Sequence, residues 1–198
     1  MTASPPRRRI VVLASGSGTN LQVVLDATTS GVLRADVVAV VSNNPGAYAL
    51  TRADAGGVAT VALAPRSGEE RESYDARLAN TVASFEPDFI VLAGWMRLLS
   101  MAFLSRFAQR VINLHPALPG EFPGTHAIER ALQAAQRLSL RRTGVMVHFV
   151  PDEGVDDGPL IASAEVPIAA DDTLESLSAR VHEAEHELLV EALRLLLL

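Results

Sequence analysis

The sequence predicts one α/β domain built on a mostly parallel sheet whose last strands turn antiparallel. Three observations lead there. Short β-branched runs alternate with helix-length segments, as βαβ units do. The runs are apolar nearly throughout, which suits strands buried on both faces. After about residue 140 the alternation gives way to two strands joined by a polar loop. A single-domain, Rossmann-like three-layer sandwich, with helices on both faces of one sheet, satisfies all three.

The first strand is Arg9 to Ala14, and a helix follows over Asn20 to Ser30, where Leu21, Val24 and Leu25 share one face. Further strands are Asp36 to Val41, Ala59 to Leu63, Asp88 to Ala93 and Val111 to Leu114, with a helix over Glu69 to Ser84 among them. Gly144 to Val150 and Leu160 to Val166 form the antiparallel pair across the loop Pro151 to Pro159. The last helix starts at Asp172 or Thr173, where Asp172 and Glu175 have capping-box spacing. Residues 1–8 read as a flexible tail and residues 9–198 as the domain.

Composition narrows the function. With 198 residues, 48% apolar, and a net charge of only -6, the chain can bury a large core and is not disordered. The acidic balance offers no general basic field for a nucleic acid or an anionic membrane, so any anion must be held locally. There is no Cys, and all 17 basic residues are Arg. That removes thiolate nucleophiles, Cys-ligated zinc, Schiff-base lysines and the P-loop lysine. The apolar run Ile10 to Ala14 is shorter than the roughly 7 to 15 residues of a secretion signal, and Phe89 to Met96 falls far below the roughly 20 of a membrane helix. The expectation is a cytoplasmic protein with no nucleic-acid and no membrane partner.

Ala14-Ser15-Gly16-Ser17-Gly18-Thr19-Asn20 joins the first strand to the first helix, where backbone N–H groups and a helix N-terminus favour an anion. Leu21 replaces the third glycine of the dinucleotide fingerprint, and the second strand runs into Ser42-Asn43-Asn44 with no ribose-binding acid, so one phosphate fits better than NAD. A tight, well-capped turn is the alternative. Asn113 and His115, two apart at the end of a parallel strand, point to one side and suit oxyanion stabilisation and proton transfer, or the capping of a loop. The loop Asp152 to Pro159 brings four carboxylates, one of which could hold His115 charged; its spacing does not match a calcium loop.

His182-Glu183-Ala184-Glu185-His186 spells a zinc-protease motif, but no third ligand follows, and no metal is expected. On the same helix Glu185 falls about 40° from Val181, inside an apolar stripe. It either grips a cationic or amine group or snorkels from the stripe edge. Trp95-Met96-Arg97-Leu98-Leu99 is an apolar loop at a strand end, suited to a flat ring or to core packing.

Four motifs in order resemble the phosphoribosylglycinamide formyltransferase family: Val12 to Gln22, Val91 to Arg97, Asn113 to Leu118, and Asp152 to Pro159. The resemblance covers nearly the whole chain and implies the formyltransferase fold. It implies transfer of a formyl group from the co-substrate 10-formyltetrahydrofolate to the amine of glycinamide ribonucleotide, in purine biosynthesis and without a metal. By the same resemblance Asn113, His115 and Asp156 match the catalytic trio, Asp156 being chosen because the family's aspartate stands two residues before the Gly-Pro pair. Gly18, Thr19 and Asn20 match the nucleotide-phosphate loop, and Glu185 matches a residue holding the glycinamide. Arg71, Met96, Arg97, Leu98, Leu99 and Asn113 match folate contacts. Leu118-Pro119-Gly120-Glu121 departs from the family pattern, and Gln133 to Arg142 is longer than in some members. A tRNA formyltransferase or a formyltetrahydrofolate hydrolase would share the trio; the first should carry a further basic domain and the second a regulatory one. A nucleotide-binding module without catalysis is the reading from another class. Monomer and homodimer are both compatible with the sequence.

Overall fold

The structure, a computed structural model, describes residues 6–138 and 140–197. Residues 1–5 of the expected tail, position 139 and position 198 lie outside the described residues. Seven strands form one sheet: β1 (Arg8–Leu13), β2 (Ala35–Ser42), β3 (Ala59–Ala62), β4 (Phe89–Leu92), β5 (Val111–His115), β6 (Arg142–Phe149) and β7 (Leu160–Pro167). Their spatial order is β3-β2-β1-β4-β5-β6-β7. β1 to β5 are parallel, β6 pairs antiparallel with β5, and β7 pairs antiparallel with β6 as expected from the polar loop between them. Six α-helices complete the described chain: α1 (Thr19–Thr29), α2 (Tyr48–Ala55), α3 (Arg71–Ala83), α4 (Met101–Leu104), α5 (Ala127–Leu138) and α6 (Leu174–Leu196).

Period-two alternation in β1 divides the core. Ile10 and Val12 join the cluster that α1, α2, α5 and α6 cover, whereas Val11 and Leu13 join the cluster of α3 and α4. All four are fully buried, which is why the strand reads as one apolar run.

Several boundaries differ from the sequence reading. β1 begins at Arg8, and Arg7 is tied down by Asp36 at 2.6 Å and by the Ala35 carbonyl at 2.6 Å. The cap of α6 is not Asp172 with Glu175. Thr173 Oγ1 accepts the Ser176 N–H at 3.2 Å and Ser176 Oγ accepts the Thr173 N–H at 3.0 Å. A serine hydroxyl reaches back over three residues as a longer carboxylate would, which frees Asp172 to clamp Arg180 through two bonds of 2.9 Å. α2 and α4 have no counterpart in the sequence reading; they are 8 and 4 residues long, too short to show a periodic stripe.

β1 sits between β2 and β4, so the chain leaves it in opposite lateral directions on its way to its two neighbours. Loops beyond the carboxyl ends of β1 and β4 therefore part, and a crevice opens between them.

Candidate active site

A cavity of about 500 Å³ lies at that end of the sheet. Its walls include Trp95, Met96, Arg97, Leu98 and Leu99 after β4, Asn113 and His115 of β5, His148 of β6, and Asp156 from the loop between β6 and β7. The trio predicted from sequence is thus brought together. Asn113 Nδ2 donates to Asp156 Oδ1 at 3.0 Å, and His115 Nδ1 lies 3.2 Å from Asp156 Oδ2. Gly124 N–H donates to the same Oδ2 at 2.7 Å, and His115 Nε2 faces the Phe122 carbonyl at 3.1 Å. Asp156 takes a left-handed backbone conformation at φ 55, tolerable for an aspartate and set by the turn that aims its carboxylate inward.

Burial would push the Asp156 carboxyl up, but the His148 ring, the Gly124 N–H and His115 outweigh it and hold the group below its ordinary range. It is therefore ionised. Two opposed effects act on His115. Its burial is the larger effect and lowers its pKa, against the pull of Asp156 and the Phe122 carbonyl.

His148 was not singled out from sequence. It stands opposite Asn113 in the β5–β6 pairing, 3.2 Å from Asn113 Nδ2 and 3.5 Å from Asp156 Oδ1. Its Nδ1 donates to the Phe149 carbonyl at 2.8 Å, turning Nε2 toward the trio. The available signal was a histidine inside the apolar run Val145 to Phe149 of a doubly covered strand, where a polar ring needs a partner.

The glycine loop and Glu185 do not line this cavity; they form a second cluster beside it. Gly18 caps α1 at φ 73, with no side-chain cap and no acidic residue in the first turn, so the first-turn N–H groups meet no competing carboxylate of the helix. Ala49 N–H to the Gly16 carbonyl at 3.0 Å and Arg52 Nε to the Ser17 carbonyl at 2.9 Å shape the loop. Ser15 joins the two clusters: its N–H donates to the Gly94 carbonyl at 3.0 Å, and its hydroxyl accepts the Met96 N–H at 2.9 Å. Glu185 is buried, its neighbour being the Asn20 side chain, whose Oδ1 is buried without a partner. Burial pushes the Glu185 carboxyl up to about 7, with the Asn20 hydrogen bond pulling the other way.

A side chain on Gly18 would meet Cα and Cβ of Ala49 at 2.8 Å in a backbone region that L residues avoid. Gly18→Ala should therefore destabilise the protein by about 2 kcal/mol and displace the start of α1. Thermal melting checks the first, and faster amide hydrogen exchange at the start of α1 checks the second.

Arg71, matched to folate contacts, stands at the rim rather than in the wall. It pairs with Glu153, whose other oxygen accepts the Met101 N–H at 2.9 Å. That strap ties the loop carrying Asp156 to α3 and α4. In the His182 to His186 motif the exposed His182 lies 3.9 Å from Glu185, which is buried against α1, and no group of three His, Asp or Glu side chains placed for a metal occurs among the described residues.

The profile of the family described as Formyl transferase matches residues 8–193. Phosphoribosylglycinamide formyltransferase of Schizosaccharomyces pombe is 45% identical over 196 residues, covering 93% of this chain and 94% of its own. The protein of that name from Escherichia coli is 42% identical, covering 89% and 81% respectively. The glycinamide ribonucleotide transformylase 1 structure from Symbiobacterium toebii superposes with a TM-score of 0.91 at 39% identity, over 98% of this chain and 89% of that one. A single sheet with the same parallel-to-antiparallel change, and sequence identity sustained across both chains' lengths, leave one assignment: the chain belongs to the formyl transferase family, among its phosphoribosylglycinamide formyltransferases.

Proposed function

We propose that this enzyme transfers the formyl group of 10-formyltetrahydrofolate to the amine of glycinamide ribonucleotide. The observation that carries the reading is the meeting of Asn113, His115 and Asp156 in a cavity whose other wall is the apolar loop Trp95 to Leu99. That wall suits the flat pterin ring, and the first-turn N–H groups after Gly18 suit the ribonucleotide phosphate. Glu185, buried beside Asn20 at the start of α1, takes the glycinamide amine.

The amine attacks the formyl carbon, and negative charge grows on the formyl oxygen. Asn113 Nδ2 is the donor for that charge, exchanging its bond to Asp156 or His148 for one to the oxygen. His115 is protonated as the reaction proceeds, when the oxyanion and Asp156 offset the penalty of burial. The attacking nitrogen then loses a proton, Asp156 and His115 pass it on, and the folate N10 receives it as the C–N10 bond breaks. The products are the formylated ribonucleotide and tetrahydrofolate, with atoms and charge balanced and no covalent enzyme intermediate. Reaction between two small molecules supports a cytoplasmic enzyme that needs no nucleic-acid or membrane partner.

Initial rates with 10-formyltetrahydrofolate test the acceptor. Deformylated folate should appear with glycinamide ribonucleotide and not without it. Formate released in the absence of an acceptor would make the protein a hydrolase, and transfer only to charged initiator tRNA would replace the acceptor.

A further inference from the structure

Asp75 of α3 is fully buried, and none of the chemistry above uses it. Its Oδ2 accepts the backbone N–H of Ser100 at 2.6 Å. Ser100 caps α4 and directly follows the Trp95 to Leu99 wall. The other carboxylate oxygen, Oδ1, and the Ser100 hydroxyl are both buried without a partner. An acidic side chain held in the core by so few bonds costs stability compared with an apolar residue of its size, and what it secures in return is the Ser100 N–H.

The neighbouring residue shows what is fixed. The ring of Tyr74 lies under the Arg97 guanidinium, 4.8 Å from ring centre to charge, and the Tyr74 hydroxyl donates to the Leu63 carbonyl at 2.9 Å. Consecutive residues of α3 thus hold the wall at two points, Arg97 through the ring and Ser100 through the carboxylate. The third polar tie is the Met96 N–H to Ser15. Between these ties Met96 and Leu98 stand largely exposed to the cavity mouth, an apolar surface kept open before any ligand arrives.

We propose that Asp75 is a positioning residue for the folate site: by pinning the Ser100 N–H it holds the 95–99 wall in its ligand-ready shape. The proposal rests on the reading that this wall takes the folate. A pinned wall loses little further freedom on binding, so the bond acts on folate capture rather than on the chemical step.

Kinetics and melting of Asp75→Ala, Asp75→Asn, Val82→Ala and Leu98→Ala test it. Asp75→Ala should raise the KM for 10-formyltetrahydrofolate about tenfold, with kcat and the ribonucleotide KM within about threefold of the parent. Asp75→Asn keeps an oxygen for the Ser100 N–H and should restore the folate KM to within about threefold. Val82→Ala, at a buried position on the same helix away from the wall, should lower Tm and leave the folate KM alone. An unchanged folate KM in Asp75→Ala, or an Asn variant as impaired as the Ala one, would overturn the proposal. If Asp75→Ala fails to fold, Ser100→Pro asks the same question, because it removes the donor at a φ of -86 that proline nearly adopts. It should raise the folate KM as Asp75→Ala would, and an unchanged value overturns the proposal. Leu98→Ala separates the two layers of inference: a raised folate KM upholds the folate wall whatever Asp75 does, and an unchanged one strikes the wall's assignment itself.

Discussion

Asp156→Asn should lower kcat by about two to three orders of magnitude while the protein melts within a few degrees of the parent. The fold should tolerate the change because asparagine accepts the left-handed conformation at φ 55 and keeps an oxygen for the Gly124 N–H. What is lost is the charge. Asp156 is ionised because His148, Gly124 and His115 surround it, and it is the acidic group within reach of the His115 ring at 3.2 Å. With an amide in its place, only the Phe122 carbonyl opposes the burial that already lowers the His115 pKa, and the imidazolium becomes harder to form when the oxyanion appears. Asn113→Ala should fall by a similar factor through loss of the donor. Steady-state kinetics with circular dichroism as the folding control decide both, and a kcat near the parent value in either variant removes that residue from the chemistry.

Glu185→Gln should separate stability from function. The Glu185 carboxyl has its pKa raised to about 7 by burial, from an ordinary value of 4.5. Below 4.5 the group is neutral folded or unfolded and has no effect. As pH rises from there to about 7, the folded protein retains a proton that the unfolded chain has given up, so stability falls across this window and levels off above it. The shift amounts to about 3 kcal/mol. Glutamine bears no such penalty, so the variant should match the parent in urea melts at pH 4 and exceed it by about that amount at pH 8. Function should move the opposite way. An ionised Glu185 holds the amine, so the parent's ribonucleotide KM should fall as pH rises through about 7, and the variant's should be higher and flat. A stability gap that does not change with pH would show that Glu185 does not carry the burial penalty; an unaltered KM would remove it from the nucleotide site.

The parallel strands were readable because burial on both faces leaves continuous Val and Ile runs, and the change to antiparallel pairing because the connection between β6 and β7 is a polar loop with no helix. The polar pair on β5 was readable in part, since strand alternation alone puts Asn113 and His115 on one side. The identity of their acid partner was not. Asp152, Asp156 and Asp157 are equivalent as composition, and what selects Asp156 is a turn that brings its carboxylate to the Gly124 N–H, 32 residues away in sequence. The family motif supplied what the local chemistry left open. His148 escaped notice because a pairing register, Asn113 against His148, is a property of two strands together. The burial that lowers the His115 pKa was not readable for the same reason: proximity to a carboxylate follows from the motif, whereas the depth of burial depends on the whole fold.

α6 follows every other described element in the chain, yet it covers α1, α5, β6 and β7 and contributes Glu185 to the cluster at the start of α1. On a ribosome, the sheet, the glycine loop and the trio would all have emerged while the apolar face that receives Leu177, Val181, Leu188 and Leu189 was still bare. The nascent polypeptide therefore has to wait for α6 before that face is sealed, and the same event delivers the carboxylate that meets Asn20. Sealing of this apolar face and arrival of the Glu185 carboxylate are one step in the vectorial assembly of the chain, so in the interval before α6 emerges a chaperone would find a bare apolar face to hold.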